Sequence, residues 1–212
     1  AFVTPRSHGV CQPVAASVLG ERLDGPEDIR RIAALVERNS MDLLQAAHTF
    51  SGVEMALWDL LGRARGVPVW QLLGYERTYP KVPYASLLFG ATAEETLQAG
   101  RAATARGFRA IKFGWAGFGE NGVDSDADHL HAAREALGPD GHLLVDAGQI
   151  WVEDVEAAAA RVPALEATRT TWLEEPFQAS AYEAYRALSK RSGGVKLAGG
   201  EGAHNVHMAR HL

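Results

Sequence analysis

At 212 residues, 47% of them apolar and 22% charged, the chain is long enough for one large domain, or one domain and a smaller companion, with a sizeable core. A formal charge of -5 with no basic block gives no electrostatic reason to expect nucleic acid or an anionic membrane surface, and directs attention to small-molecule partners. The single cysteine, Cys11, cannot close an internal disulfide, no apolar window approaches a membrane span and no signal-peptide pattern opens the chain, so a cytoplasmic location is expected.

The first 80 residues read as mostly helical. From Pro26 to Arg38, Ile29, Ile32, Leu35 and Val36 recur at three- and four-residue spacing and make one apolar stripe. Ser51 to Ala64 repeats the pattern with Val53, Leu57 and Leu60, with Ala56 allowing close packing and Gly66 and Pro68 ending it. Pro80 and Pro83 in "YERTYPKVP" mark a linker. Beyond it, strands and helices alternate. "VPYASLLF" is the first strand, followed by a helix from Thr92 to Arg106 with Glu95 at capping-box spacing. "RAIKF" precedes a helix from Asp124 to Leu137 that Gly138 and Pro139 stop, and "HLLVDA" precedes an alanine-rich helix from Glu153 to Leu165. "TTWLEE" leads to a helix over Ser180 to Ser192, and "GVKLAGGE" to another that starts at His204. Such alternation requires right-handed crossovers and a parallel sheet, either doubly wound or closed into a barrel.

Lys112, Asp146, Glu174 and Glu201 each fall at the carboxyl end of a different strand, one βα unit apart. In a barrel these ends open onto one face, where catalytic residues gather. Neighbouring strands lie about 4.8 Å apart, so the three carboxylates can converge on one point. There they repel unless a cation sits between them, and a hard divalent ion with oxygen ligands, most simply Mg²⁺, resolves the conflict. The adjacent Glu175 needs a partner of its own and reads as a salt-bridged group or a support for the metal ligands. The rival reading of Lys112 is a structural ion pair with one of these carboxylates. Glu201 and His204 have a Glu-x-x-His spacing, but a single copy after a Gly-Gly strand end does not make a two-metal site.

The stretch "SGVEMALWDLLGRARGVPVWQLLG", followed in order by "IKFG", "LLVDAGQIW", "WLEEP" and "GGEGA", resembles the enolase superfamily, in particular its mandelate racemase/muconate lactonizing enzyme branch. The resemblance covers most of the chain, from Asp28 to Leu212. It implies an α/β fold: the first part of a modified (β/α)8 TIM-type barrel over residues 81–212, with about five βα units, and a partial, mostly helical α+β capping domain over residues 1–80. It implies that Asp146, Glu174 and Glu201 bind Mg²⁺, with Glu174 rather than Glu175 in the ligand position of "EEP". Lys112 matches the first lysine of the family's K-x-K pattern, which faces the substrate carboxylate. The implied chemistry is removal of the proton α to that carboxylate, with Mg²⁺ neutralising the enediolate charge. The resemblance also implies a homo-oligomer.

Departures from the family pattern narrow the reaction. Gly114 stands where the racemases carry their second lysine, a base. Its loss suits a one-base reaction in which a histidine on a later strand takes the α-proton and helps the β-hydroxyl leave, the dehydration of an aldonate or aldarate to a 2-keto-3-deoxy acid. Gly148 replaces the asparagine of "DAN", which leaves more room or one polar contact fewer near the metal. Ser86, Trp115, Phe118 and Glu175 are further candidates to contact substrate, with "FGWAGFGENG" read as a long mobile loop over the site. The barrel needs about three more βα units, so the chain is expected to be part of a longer enzyme, with the histidine and its Asp partner on the remainder. A racemase or cycloisomerase, a retaining glycosidase and a non-catalytic relative are the alternatives.

Overall fold

A computed structural model describes residues 14–40, 46–203 and 205–211; Cys11 and His204 lie outside them. The chain divides into two compact units, Ala1–Pro80 and Lys81–Leu212. No helix among the described residues is long and apolar enough to cross a membrane.

In the first unit, residues 14–18 are helical, followed by helices Pro26–Ser40, Ala46–Arg65 and Val69–Leu72. Pro26 suits the first helical position, and Glu27 and Asp28 in the first turn and Arg38 in the last complement the helix dipole. Ile32 and Val36 of the expected stripe pack with Val14, Ala46 and Phe50 into a small core. The expected stripe on the next helix is misplaced. Leu60 is 56% exposed and Ala56 is exposed, whereas Phe50 and Leu61 are buried and Val53 and Leu57 are half-buried. At 3.6 residues per turn Phe50, Val53, Leu57 and Leu61 form one line, and Leu60 falls about 100° away from its neighbour Leu61.

The second unit holds a five-stranded parallel sheet in unbroken chain order: β1 Ala85–Leu88, β2 Ala110–Gly114, β3 His142–Asp146, β4 Thr170–Glu174 and β5 Lys196–Ala198. A strand order that never reverses puts every right-handed crossover on the same side, so this is the wall of a barrel and not a doubly wound sheet. One face is accordingly sealed by helices: Ile111, Phe113, Leu143, Val145 and Leu173 pack with Leu130, Ala133, Leu165 and Leu188. The alternate residues form rows across the other face. Ser86, Lys112, Leu144, Trp172 and Lys196 share one row, and Leu88, Gly114, Asp146, Glu174 and Ala198 the next. A bulge sets the second row. Leu143 pairs with Thr170 but Leu144 pairs with Trp172, so Thr171 is the extra residue. Without it Leu173 would stand beside Asp146 and Glu174 would point to the helices, because a one-residue slip reverses every side chain.

The helix from Ala93 to Ala105 is capped by Thr92, whose side chain accepts the Glu95 amide, while Glu95 reaches back to the amide of Ala91, one residue beyond the usual capping-box position. The helix expected over Glu153–Leu165 is instead two, Val155–Ala159 and Val162–Ala167. Pro163, near the start of the second, lacks the N–H needed to continue the first. Helix Tyr182–Ser189 is shorter than expected, and Val206–Ala209 is capped by Asn205.

Helices Ala93–Ala105 and Val123–Leu137 pack together, and at Gly100 a Cβ would lie 2.5 Å from the Ala136 Cβ. Gly100→Ala gains about 1 kcal/mol of helix propensity, but the short Ala136 side chain cannot swing away. We expect a net loss of about 1–2 kcal/mol, from overpacking, in urea denaturation.

Candidate functional site

The middle of β2 and the carboxyl ends of β3 and β4 bring three charges together: Lys112 stands one row before Asp146 and Glu174, not at the end of its strand as expected. Lys112 Nζ donates to Asp146 Oδ2 at 3.1 Å and to Glu174 Oε1 at 2.7 Å. The three side chains are only 12%, 11% and 17% exposed. The outer carboxylate oxygens are also engaged: the Gly148 amide donates to Asp146 Oδ1 at 3.0 Å and Trp172 Nε1 to Glu174 Oε2 at 3.1 Å. The Tyr84 ring centroid lies 5.6 Å from the Lys112 ammonium, and the ring meets Trp172 edge-on. Burial alone would lower the Lys112 pKa, but the hydrogen bonds to Glu174 and Asp146, and their charges, outweigh it and raise it above the ordinary lysine value.

Two carboxylates therefore converge here, not three, and they converge on an ammonium. Among the described residues no three of His, Cys, Asp and Glu stand close enough to hold a metal ion. Glu201 is exposed: β5 ends at Ala198, the row partner of Glu174, and Glu201 opens the turn that follows Gly199 and Gly200. It still senses the cluster. Partial burial raises its pKa, and the charges of Glu175, Asp146 and Glu174 raise it further against the opposing pull of Lys112.

Glu174 and Glu175 resolve their adjacency by facing different partners. Glu175 is 2% exposed, with φ at 42°. Its Oε1 accepts the amides of Gly200 and Glu201, each at 3.1 Å, and its Oε2 accepts Gln149 Nε2 at 2.5 Å. The backbone repeats the link, with Gln149 N donating to Glu175 O and Glu175 N to Ala198 O. Of the two expected roles, a salt bridge is not found among the described residues, and a buried carboxylate with both oxygens engaged does not reach a substrate; Glu175 instead joins the turns after β3 and β5. Gln149, Tyr84 and Trp172 were not singled out from the sequence. The signal for Tyr84 and Trp172 lay in their period-2 spacing with Ser86 and Glu174, whereas Gln149 carried none.

Ser86 is exposed in the same row as Lys112. At Gly114 a Cβ would lie 2.8 Å from both the Cβ and the carbonyl oxygen of Asp146, so no side chain fits there unless β3 moves. Gly148, at φ 57°, does not leave open space either, since a Cβ there would lie 3.0 Å from the Trp115 ring. Phe118 is a core residue, 3% exposed, stacked on Phe89 at 4.8 Å and packed against Trp151. Its loop is tied to the body of the unit. Asp126 Oδ1 accepts the Gly119 amide, Asp126 forms a buried 2.9 Å ion pair with Arg161, and Arg161 Nη2 donates to the Gly119 carbonyl.

Known proteins share this arrangement of strands and helices. Residues 94–212 match the family described as enolase C-terminal domain-like, and residues 6–74 the mandelate racemase/muconate lactonizing enzyme N-terminal domain. A 3,6-anhydro-α-L-galactonate cycloisomerase from Streptomyces coelicolor is 35% identical over 163 residues, 76% of this chain and 43% of its own length. An L-talarate/galactarate dehydratase from Salmonella typhimurium is 31% identical over 184 residues, 83% of this chain and 43% of its own. The chain thus spans less than half the length of these curated relatives. The crystal structure of a predicted mandelate racemase from Rhodobacter sphaeroides superposes with a TM-score of 0.85 at 64% identity, over 100% of this chain and 54% of that one. A D-glucarate dehydratase from Agrobacterium tumefaciens, crystallised with magnesium, superposes with a TM-score of 0.77 at 25% identity, over 99% of this chain and 56% of that one. With both of its units matched in order, the chain belongs to the mandelate racemase/muconate lactonizing enzyme family of the enolase superfamily.

Proposed function

We propose that the protein is a Mg²⁺-dependent sugar-acid dehydratase, which removes the proton α to the carboxylate and expels the β-hydroxyl to leave a 2-keto-3-deoxy acid. The observation that carries this reading is the ion cluster of Lys112, Asp146 and Glu174 on consecutive strands, beside a Gly114 that leaves no room for a second base. In chemical type, though not in the spacing found among the described residues, the donor set fits the metal. Asp146, Glu174 and Glu201 offer hard oxygen atoms, and the Glu201 pKa is raised first by burial and then by the negative charges of Glu175, Asp146 and Glu174, the part that a divalent cation would relieve. These three would hold Mg²⁺, which when bound supplies Lewis acidity toward the substrate carboxylate.

Lys112, held protonated by its two partners, is a donor to the substrate carboxylate and not the base. The proton acceptor in this proposal is a histidine on a strand beyond β5. The named activities of the Salmonella and Agrobacterium relatives, both sugar-acid dehydratases, support the reaction class. The second reading, a cycloisomerase, is favoured by the 35% identity to the Streptomyces relative.

The full-length protein, supplied with Mg²⁺ and a panel of aldonic and aldaric acids that includes galactarate, is expected to release 2-keto-3-deoxy acids. Turnover should stop with a chelator and return with Mg²⁺. Failure to convert any acid, or turnover that resists chelation, removes this reading. Solvent deuterium in recovered substrate without keto acid would instead favour an isomerase.

A further inference from the structure

Trp115 is the one residue of the loop after β2 that combines backbone strain, exposure and closeness to the ion cluster. A bulky residue at φ 60° is a costly exception, and such exceptions gather at functional sites. Its amide donates to the carbonyl of Asp146. One side of its indole covers Gly148, the residue whose own amide holds Asp146 Oδ1. The side chain is nevertheless 55% exposed, and its Nε1–H has no acceptor among the described residues. The neighbouring Phe118 is locked in the core and Gly119 is tied to Asp126 and Arg161, so the loop holds Trp115 from behind.

We propose that Trp115 is a specificity-determining residue: its indole is a fixed platform on which the C–H face of a polyhydroxy acid stacks, with Nε1–H donating to a substrate hydroxyl, and Gly148 is the seat that keeps the platform in place. This rests on the sugar-acid reading of the adjacent cluster. An aromatic face with one polar edge matches an acyclic or cyclic sugar acid, which alternates C–H and hydroxyl groups. It selects against short α-hydroxy acids, which have too little carbon chain to cover the ring. The seat must be glycine for two reasons: its φ of 57°, and the ring carbons 3.0–3.1 Å from where a Cβ would lie.

The test uses the full-length protein with Mg²⁺ and galactarate, or whichever panel acid is turned over fastest. Trp115→Ala should raise KM about tenfold and change kcat by less than about threefold, the pattern of lost uniform binding. Melting temperature and Mg²⁺ affinity should be unchanged. Trp115→Phe, which keeps a ring but not the donor and is the safer variant for folding, should lie between. Gly148→Ala should displace the ring and raise KM to a similar extent, and combining it with Trp115→Ala should add little, since both remove one interaction. A wild-type KM in Trp115→Ala, or a loss confined to kcat and Mg²⁺ affinity, overturns the platform while leaving the dehydratase reading intact. If the wild-type protein converts and binds no acid of the panel, both fall.

Discussion

Lys112→Met is expected to lower the stability of the metal-free protein by about 3 kcal/mol at pH 7 and to abolish turnover, with added Mg²⁺ recovering stability but not activity. Methionine keeps most of the apolar stem and removes only the ammonium. What remains is Asp146 beside Glu174 in one row of the sheet, each mostly shielded from water, with no cation between them. Breaking a buried ion cluster by deleting one partner leaves uncompensated charge, and that sets the size of the effect. The pH dependence follows from the same geometry. The wild-type lysine has a raised pKa, so its contribution is complete below the unfolded value of about 10.4 and is lost only as pH rises through the higher folded value. Urea denaturation in a chelator at several pH values measures this. Equal stability of variant and wild type at pH 7 would show that the ammonium is solvated and holds nothing together.

The parts of this molecule legible in its sequence are those written in periodicity and at strand ends. Short strand-like runs between helical patterns identified all five strands, and the recurrence of Lys112, Asp146 and Glu174 one βα unit apart pointed to a common face, though Glu201, read with them, stands apart. What was not legible depends on relations with no local signature. Nothing in "TTWLEE" announces that Thr171 bulges, yet the bulge puts Glu174 rather than Leu173 beside Asp146. The partners of Glu175 include two backbone amides, which every residue but proline possesses, so charge counting looked for a cation and missed them. Phe118 and Trp115 stand three residues apart in the same glycine-rich loop, and composition alone could not say that one enters the core and the other stays exposed. The alanine-rich run around Ala157 suggested one helix because propensity outweighed Pro163, whereas the missing N–H decided the outcome.

Glu175 offers the sharpest separation of hydrogen bonding from charge. Glu175→Ala removes the acceptor for the amides of Gly200 and Glu201 and for Gln149, leaving three donors unpaired in a part-buried site. A loss of about 3 kcal/mol is expected, together with Mg²⁺ affinity weaker by about 10–100-fold, because the turns carrying Glu201 and Gln149 are no longer joined. Glu175→Gln should behave differently. Its Oε1 still accepts both amides, and Gln149 can turn its amide over to accept from the new Nε2, so stability should stay within about 1 kcal/mol of wild type. What disappears is a negative charge that helps to push up the pKa of Glu201, second to burial among the causes. A carboxyl whose folded pKa is raised contributes stability that is complete below its unfolded value, about 4.3, and lost as pH rises through the folded value. In Glu175→Gln that loss starts from the same unfolded value but is smaller and complete at lower pH, and Mg²⁺, which under the proposed function competes with the proton for Glu201, should bind at correspondingly lower pH. Calorimetric Mg²⁺ titrations from pH 4.5 to 7.5 distinguish the cases. If the glutamine variant loses as much stability and affinity as the alanine variant, then the charge of Glu175, and not its hydrogen bonds, joins the two turns.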